Sequence, residues 1–107
     1  MPRPKKPRFI SSHPAINAFV PRDIPQTGES TLSIEGLEAL RLSDFESLDQ
    51  ESAAKIMNVS RQTYGRILNE ARSIVSGALV TGKALVIKGG TYKIHQGPRM
   101  RRRRGQR

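Results

Sequence analysis

The sequence predicts a mainly α fold: a helix-turn-helix domain with an extra N-terminal helix and a small C-terminal β-hairpin. Three observations predict it. Apolar residues recur at helical spacing through most of residues 33–81. The helical runs open on side chains that cap helices, at Ser33, Asp49 and Ser60. The period then changes to two, near the C-terminus. At 107 residues the chain has one domain's length and a modest core. We divide it into a flexible basic arm over 1–8, a domain over 9–98, and a disordered arginine-rich tail over 99–107.

The elements follow in order. MPRPKKPR is spaced by prolines, which forbid a helix and favour an extended, mobile chain. INAFV (16–20) is apolar enough for a short strand, limited by Pro14 and Pro21. Ser33 caps a helix over about 34–45, with Glu35 in the turn where the helix dipole favours an anion and Leu37 and Leu40 at helical spacing. Asp49 caps QESAAKIM, Leu48 staples back onto Ala53, and Ala53, Ile56 and Met57 form the buried face. Asn58 ends that helix, because asparagine tolerates the left-handed backbone.

Ser60 caps the next helix. Tyr64, Ile67, Leu68, Ala71, Ile74, Val75, Ala78 and Leu79 form its stripe, which runs to about Val80 and stops at Gly82. ALVIK (84–88), Gly89-Gly90 and TYKIH (91–95) then read as a hairpin with a two-residue turn. Leu85, Ile87, Tyr92 and Ile94 would face inward, with Val86, Lys88 and Lys93 on the other side.

Two helices around a short turn, the second longer and basic outside, make a helix-turn-helix. The motif needs a small residue at the crossing, a residue tolerant of positive φ in the turn, an apolar plug after it, and a buried stripe on the second helix. Ala54, Asn58, Val59, and Tyr64 with Ile67 meet these demands. With that stripe inward, Arg61, Gln62, Gly65, Arg66 and Asn69 face outward at the end that enters a major groove. Arginine forks onto guanine, and glutamine or asparagine onto adenine. Arg61, Gln62, Arg66 and Asn69 are therefore the base-reading residues we expect, and Ser60 and Thr63 the phosphate donors. Taken singly, each of these is an ordinary solvated side chain; the expectation rests on their clustering. Gly65 lowers helix propensity by about 1 kcal/mol against alanine, which argues for a steric reason to keep it.

Charge points the same way. The net charge of +10 equals the ten cations of the two ends, because nine acids balance nine bases between them. Eight acids fall between Asp23 and Glu51, whereas residues 55–93 hold seven bases and one acid, Glu70. Arg3, Lys5, Lys6 and Arg8, with Arg101, Arg102, Arg103 and Arg104, would lie along phosphates or in a minor groove. Lys83, Lys88 and Lys93 would share that side. An acidic front half would turn away from the duplex.

MPRPKKPR, LEALRLSD, ESAAKIMNVSRQTYGRIL and GKALVIKGG resemble a family of small prokaryotic proteins of uncharacterised role, commonly described as DNA-binding, with a helix-turn-helix similar to the promoter-reading C-terminal region of sigma factors. The resemblance covers most of residues 1–90 and is strongest over 37–90. It implies a helix-turn-helix on residues 49–69 and duplex DNA as ligand. Two features depart from it: Asn58 stands where glycine is common, and the chain ends in arginines where some relatives carry cysteine-containing segments.

Other chemistry finds no footing in the sequence. Cysteine is absent, His13 and His95 have no ligand cluster around them, and no nucleophile–base pattern appears. We expect no enzyme, no metal and no cofactor. No apolar run is long enough to span a bilayer and no signal-peptide pattern appears, so a cytoplasmic location is expected. The expected function is sequence-selective duplex DNA binding in transcriptional regulation, with a homodimer formed through the hairpin edge as one arrangement. The alternatives are an RNA-binding protein, or a protein-interaction module with incidental affinity for nucleic acid.

Overall fold

The computed structural model describes residues 6–95. Arg3, Lys5, Arg101, Arg102, Arg103 and Arg104 lie outside the described residues. The chain forms β1 (Arg8–Ile10), β2 (Ala18–Phe19), β3 (Glu29–Leu32), α1 (Ile34–Leu40), a π-helical extension (Arg41–Phe45), α2 (Gln50–Met57), α3 (Arg61–Thr81), β4 (Ala84–Ile87) and β5 (Tyr92–Ile94). Among the described residues, five strands in two sheets make this an α/β mix and overturn the mainly α expectation.

The helices begin and end where the side chains dictate. The Oγ of Ser33 accepts from Gly36 N–H at 3.0 Å, and Asp49 accepts from Ser52 N–H at 3.2 Å. α2 closes on Asn58, left-handed at φ 61°, and the Val59 N–H returns to Ala54 C=O at 3.0 Å. α3 closes in the same way on Gly82, at φ 79°, with Lys83 N–H reaching Ala78 C=O at 3.1 Å. The helix expected over 34–45 widens to π geometry after Leu40, which carries the chain round to α2.

The hairpin does not form. β4 is the central strand of a three-stranded sheet, antiparallel to β2 and parallel to β3, with Phe19 opposite Leu85 and Leu32 opposite Ile87. Both edges of β4 are thus occupied before β5 begins. β5 pairs instead with β1, in parallel, with Arg8 opposite Tyr92. Gly89 and Gly90 do take positive φ, as a tight turn requires, but the loop is drawn onto α1: Ile34 N–H donates to Gly89 C=O at 3.0 Å, and Thr91 N–H to the Glu35 carboxylate at 3.0 Å. The hairpin edge proposed for dimerisation is therefore not there. Arg8, assigned to a mobile arm, begins a strand.

α3 bridges two apolar clusters. Tyr64 and Leu68 pack with Ala39, Leu42, Ala53, Ala54 and Met57, joined by partly buried Leu48, Ile56, Val59 and Ile67. Ala71 and Ala78 pack with Leu32, Leu85 and Ile87 of the three-stranded sheet. Gly36 lets α1 approach α3 closely, since a side chain there would press on Leu32, Ser33 and Ala71. Two residues assigned inward are not: Leu79 is 78% and Ile94 45% exposed. The stripe ends at Ala78, and Ile94 lies in a two-stranded sheet that it does not help to bury.

Candidate nucleic-acid interface

α2 and α3 are joined by the three residues Asn58, Val59 and Ser60. Ala54, buried at the crossing, and the left-handed Asn58 occupy the positions expected of them. Tyr64 sets the roll of α3. Its ring is fully buried, its hydroxyl donates to Ala39 C=O at 2.9 Å, and Ser43 Oγ lies 2.5 Å from the same oxygen. Burial pushes the tyrosine hydroxyl above its ordinary pKa. Leu68, one turn on, is equally enclosed.

With that face fixed, Arg61, Gln62, Arg66 and Asn69 are all exposed on the N-terminal turns of α3, and Gly65 is half-buried between them. The structure brings these four sequence-assigned residues together. Ser60 and Thr63 sit at the same end, occupied with each other. Ser60 Oγ accepts from Thr63 N–H at 3.0 Å and donates to Thr63 Oγ1 at 3.0 Å. Thr63 Oγ1 also accepts from Arg66 at 3.4 Å, which leaves its own proton to donate outward. The N–H groups of Arg61 and Gln62 have no intrahelical acceptor, as in any first helical turn.

The electrostatics separate two kinds of arginine. Arg72, further along α3, forms a fork with Asp44 at 2.7 and 3.1 Å; the same contact holds the Asp44 carboxyl below the usual carboxylate range and raises Arg72. Arg41 is tied to Glu38 at 2.9 Å and Glu46 at 3.2 Å, and the Glu38 hydrogen bond raises its pKa. Arg61 and Arg66 form no ion pair among the described residues. Asp49 lies near enough to Arg61 to feel its charge, but its carboxyl is lowered mainly by hydrogen bonding to Ser52.

A cleft of about 600 Å³ adjoins this end of α3, lined by Thr63, Arg66 and Glu70 on one wall and by Arg8, Glu35 and Lys88–Gly90 on the other. Sequence reasoning placed Arg8 and Lys88 on the nucleic-acid side without this cleft. The strand over RFI, absent from the expected elements, puts Arg8 on the same side as Ile10. The two histidines are far from α3's N-terminal turns in role as well as sequence: His95 stacks on Phe9 and His13 meets the edge of Tyr92. Among the described residues no cluster of three metal-ligating side chains occurs. No described helix is long and apolar enough to cross a membrane.

The fold and this surface define a small α/β domain that exposes cationic and amide side chains at the start of its longest helix. Residues 1–95 match a family described as protein of unknown function DUF134. The chain is 46% identical to UPF0251 protein Teth39_0655 of Thermoanaerobacter pseudethanolicus, over 99% of this chain and 96% of that protein. It is 50% identical to a UPF0251 protein of Caldicellulosiruptor bescii over 86% of this chain and 65% of that one, and 45% identical to UPF0251 protein Rru_A1194 of Rhodospirillum rubrum over 92% and 68%. The chain belongs to this DUF134/UPF0251 family. No solved structure matches it.

Proposed function

We propose that this protein binds duplex DNA sequence-selectively and regulates transcription, with α2 and α3 acting as a helix-turn-helix similar to that of sigma factors. α3 lies in the major groove by its N-terminal turns. Arg61, Gln62, Arg66 and Asn69 read base edges, and Ser60 and Thr63 meet the phosphates beside the helix start. The basic residues of the two ends add sequence-independent affinity.

One observation carries this reading. Arg41 and Arg72 are neutralised by acids of the same chain, whereas Arg61 and Arg66 face solvent with no ion pair among the described residues. Their unpaired guanidinium groups, beside the exposed amides of Gln62 and Asn69 and over the buried face of Tyr64 and Leu68, are free to fork onto base edges. Repeated selection of bound sequences from a random duplex pool, at physiological salt, tests it. A defined motif is the expected result. Retention of the pool without enrichment, or capture by structured RNA in preference to duplex, would overturn the reading.

A further inference from the structure

The cleft beside α3 contains an arginine with an unmet need. Alternation along β1 puts Arg8 on the side of buried Ile10, so its side chain runs toward the body and not away from it. Its Nε is enclosed and has no hydrogen-bond partner among the described residues. Its Nη1 donates to Lys6 C=O at 3.3 Å, and no carboxylate of the described residues lies within ion-pair distance. An enclosed guanidinium donor without an acceptor is destabilising unless something supplies one.

The surroundings indicate what that is. Arg66 and Lys88 line the same cleft, with the hydroxyls of Thr31 and Thr63. Glu35 and Glu70 are the acids there. Glu35 is already engaged, since both its oxygens accept from Thr91 N–H, at 3.0 and 3.2 Å. Three cations facing two carboxylates leave a formal excess of one positive charge, which one phosphodiester neutralises. Gly89 adds an open approach, with no atom of the described residues within 4 Å of where a side chain would stand.

We infer that this cleft is a phosphate-binding site, in which Arg8 and Lys88 hold the phosphate oxygens and Arg66 contributes only its nearby charge. The phosphate comes either from the backbone of bound duplex, in which case the inference rests on the proposed function, or from a free phosphorylated molecule. Arg8 is then held in readiness, unpaired until the anion arrives.

The test uses the full chain and two probes, inorganic phosphate and a short random-sequence duplex. Thermal melting is compared in phosphate and in chloride at equal ionic strength, for the wild type, Arg8→Met and Lys88→Ala. Phosphate stabilises proteins generally by exclusion from their surfaces, and that part is common to all three. The expected result is an additional, saturable rise in the wild type that both variants lose. In chloride Arg8→Met is at least as stable as the wild type, because methionine keeps the apolar stem and removes an unpaired charge. A purely structural arginine would give a loss instead. If Arg8→Met fails to fold, that also argues against the site's arginine being held for a ligand, and Lys88→Ala, at an exposed position, then decides whether phosphate binds there.

The duplex identifies the source. If its backbone fills the cleft, each variant makes the log–log salt dependence of binding shallower by about 0.9, with the sequence preference unchanged. A lost phosphate effect with an unchanged slope assigns the cleft to a free phosphorylated molecule. Variants that keep both the wild-type phosphate effect and the wild-type slope overturn the inference, as does a wild type that shows no phosphate effect together with unchanged slopes. A wild type that fails to bind duplex at all sinks the proposed function alone, and the melting comparison still decides the cleft.

Discussion

The Tyr64 hydroxyl donates to the Ala39 carbonyl across 2.9 Å of buried space, tying the N-terminal turns of α3 to the last turn of α1. That bond, with the Ser43 hydroxyl beside it, adds to the hold that the buried Tyr64 ring and Leu68 have on the roll of α3. Tyr64→Phe keeps the ring and removes the donor, leaving Ala39 C=O and Ser43 Oγ short of a partner. We expect a loss of about 1–2 kcal/mol in urea unfolding. Binding selectivity well below the melting temperature should be unaffected. An undiminished urea midpoint would show that the bond does not hold the helix.

The loop over α1 makes a stricter demand. Gly90 sits at φ 108°, and a side chain there would run into the Glu35 carboxylate that holds Thr91. Gly90→Ala combines a backbone conformation that disfavours side chains with loss of that contact. A destabilisation of about 2 kcal/mol or more is expected, read by thermal or denaturant unfolding. Gly89→Ala shares the positive φ but meets nothing among the described residues, so its effect should be smaller. Equal effects at the two glycines would mean that the Glu35 contact contributes nothing.

These two relationships mark what the sequence discloses and what it does not. The helices were legible because their signals are local: Ser33, Asp49 and Ser60 cap, Asn58 and Gly82 stop, and Tyr64, Leu68 and Ala71 repeat at helical spacing. The exposed set Arg61, Gln62, Arg66 and Asn69 followed from that spacing alone. The sheets were not legible, because strand partners are set by long-range competition. β4 pairs with β2 and β3, more than fifty residues earlier, and so cannot pair with β5. Strands of two to four residues among prolines leave almost no periodic trace. The cleft, which joins β1, α1, α3 and the loop before β5, was hidden for the same reason.

Acid should loosen the fold through two carboxylates. Asp44 is held low by Arg72, and Asp49 by the hydrogen bonds of its cap to Ser52. A carboxyl whose folded pKa lies below its unfolded value binds fewer protons in the folded state. Its contribution is therefore complete above the unfolded value, about 3.9, and is lost as pH falls through the folded one. Both groups are exposed, so the contributions are modest and screened by salt. Urea midpoints should be level from neutral pH down to about 5 and decline below about 4. Asp44→Asn should make that decline shallower, and an identical acid profile in that variant would show that the Arg72 pair carries no pH-dependent stability.

The two kinds of arginine should separate in binding assays. Arg61→Ala and Arg66→Ala each remove a proposed base-reading fork, so discrimination between cognate and random duplex should fall by about 1–3 kcal/mol. Arg72→Ala, which removes the partner of Asp44, should leave discrimination intact. Removing residues 99–107 should weaken binding to all duplexes alike and make the salt dependence shallower by about 0.9 for each phosphate given up. Sequence-blind losses from Arg61→Ala and Arg66→Ala would take base reading away from α3.

Gly65 offers the sharpest separation of folding from binding. Among the described residues a methyl group at this position would meet only Gln50 Oε1, at 3.5 Å, an ordinary contact. Nothing in the packing of the described residues therefore calls for glycine in the second turn of α3. Gly65→Ala should stabilise the fold by up to about 1 kcal/mol, through helix propensity and a less flexible unfolded chain. If α3 lies against a groove wall between Arg61 and Asn69, the same methyl group stands between backbone and ligand, and affinity for duplex should drop at least several-fold while the melting temperature rises. A variant that is more stable and binds duplex as well as the wild type would show that this face of α3 never comes within touching distance of DNA.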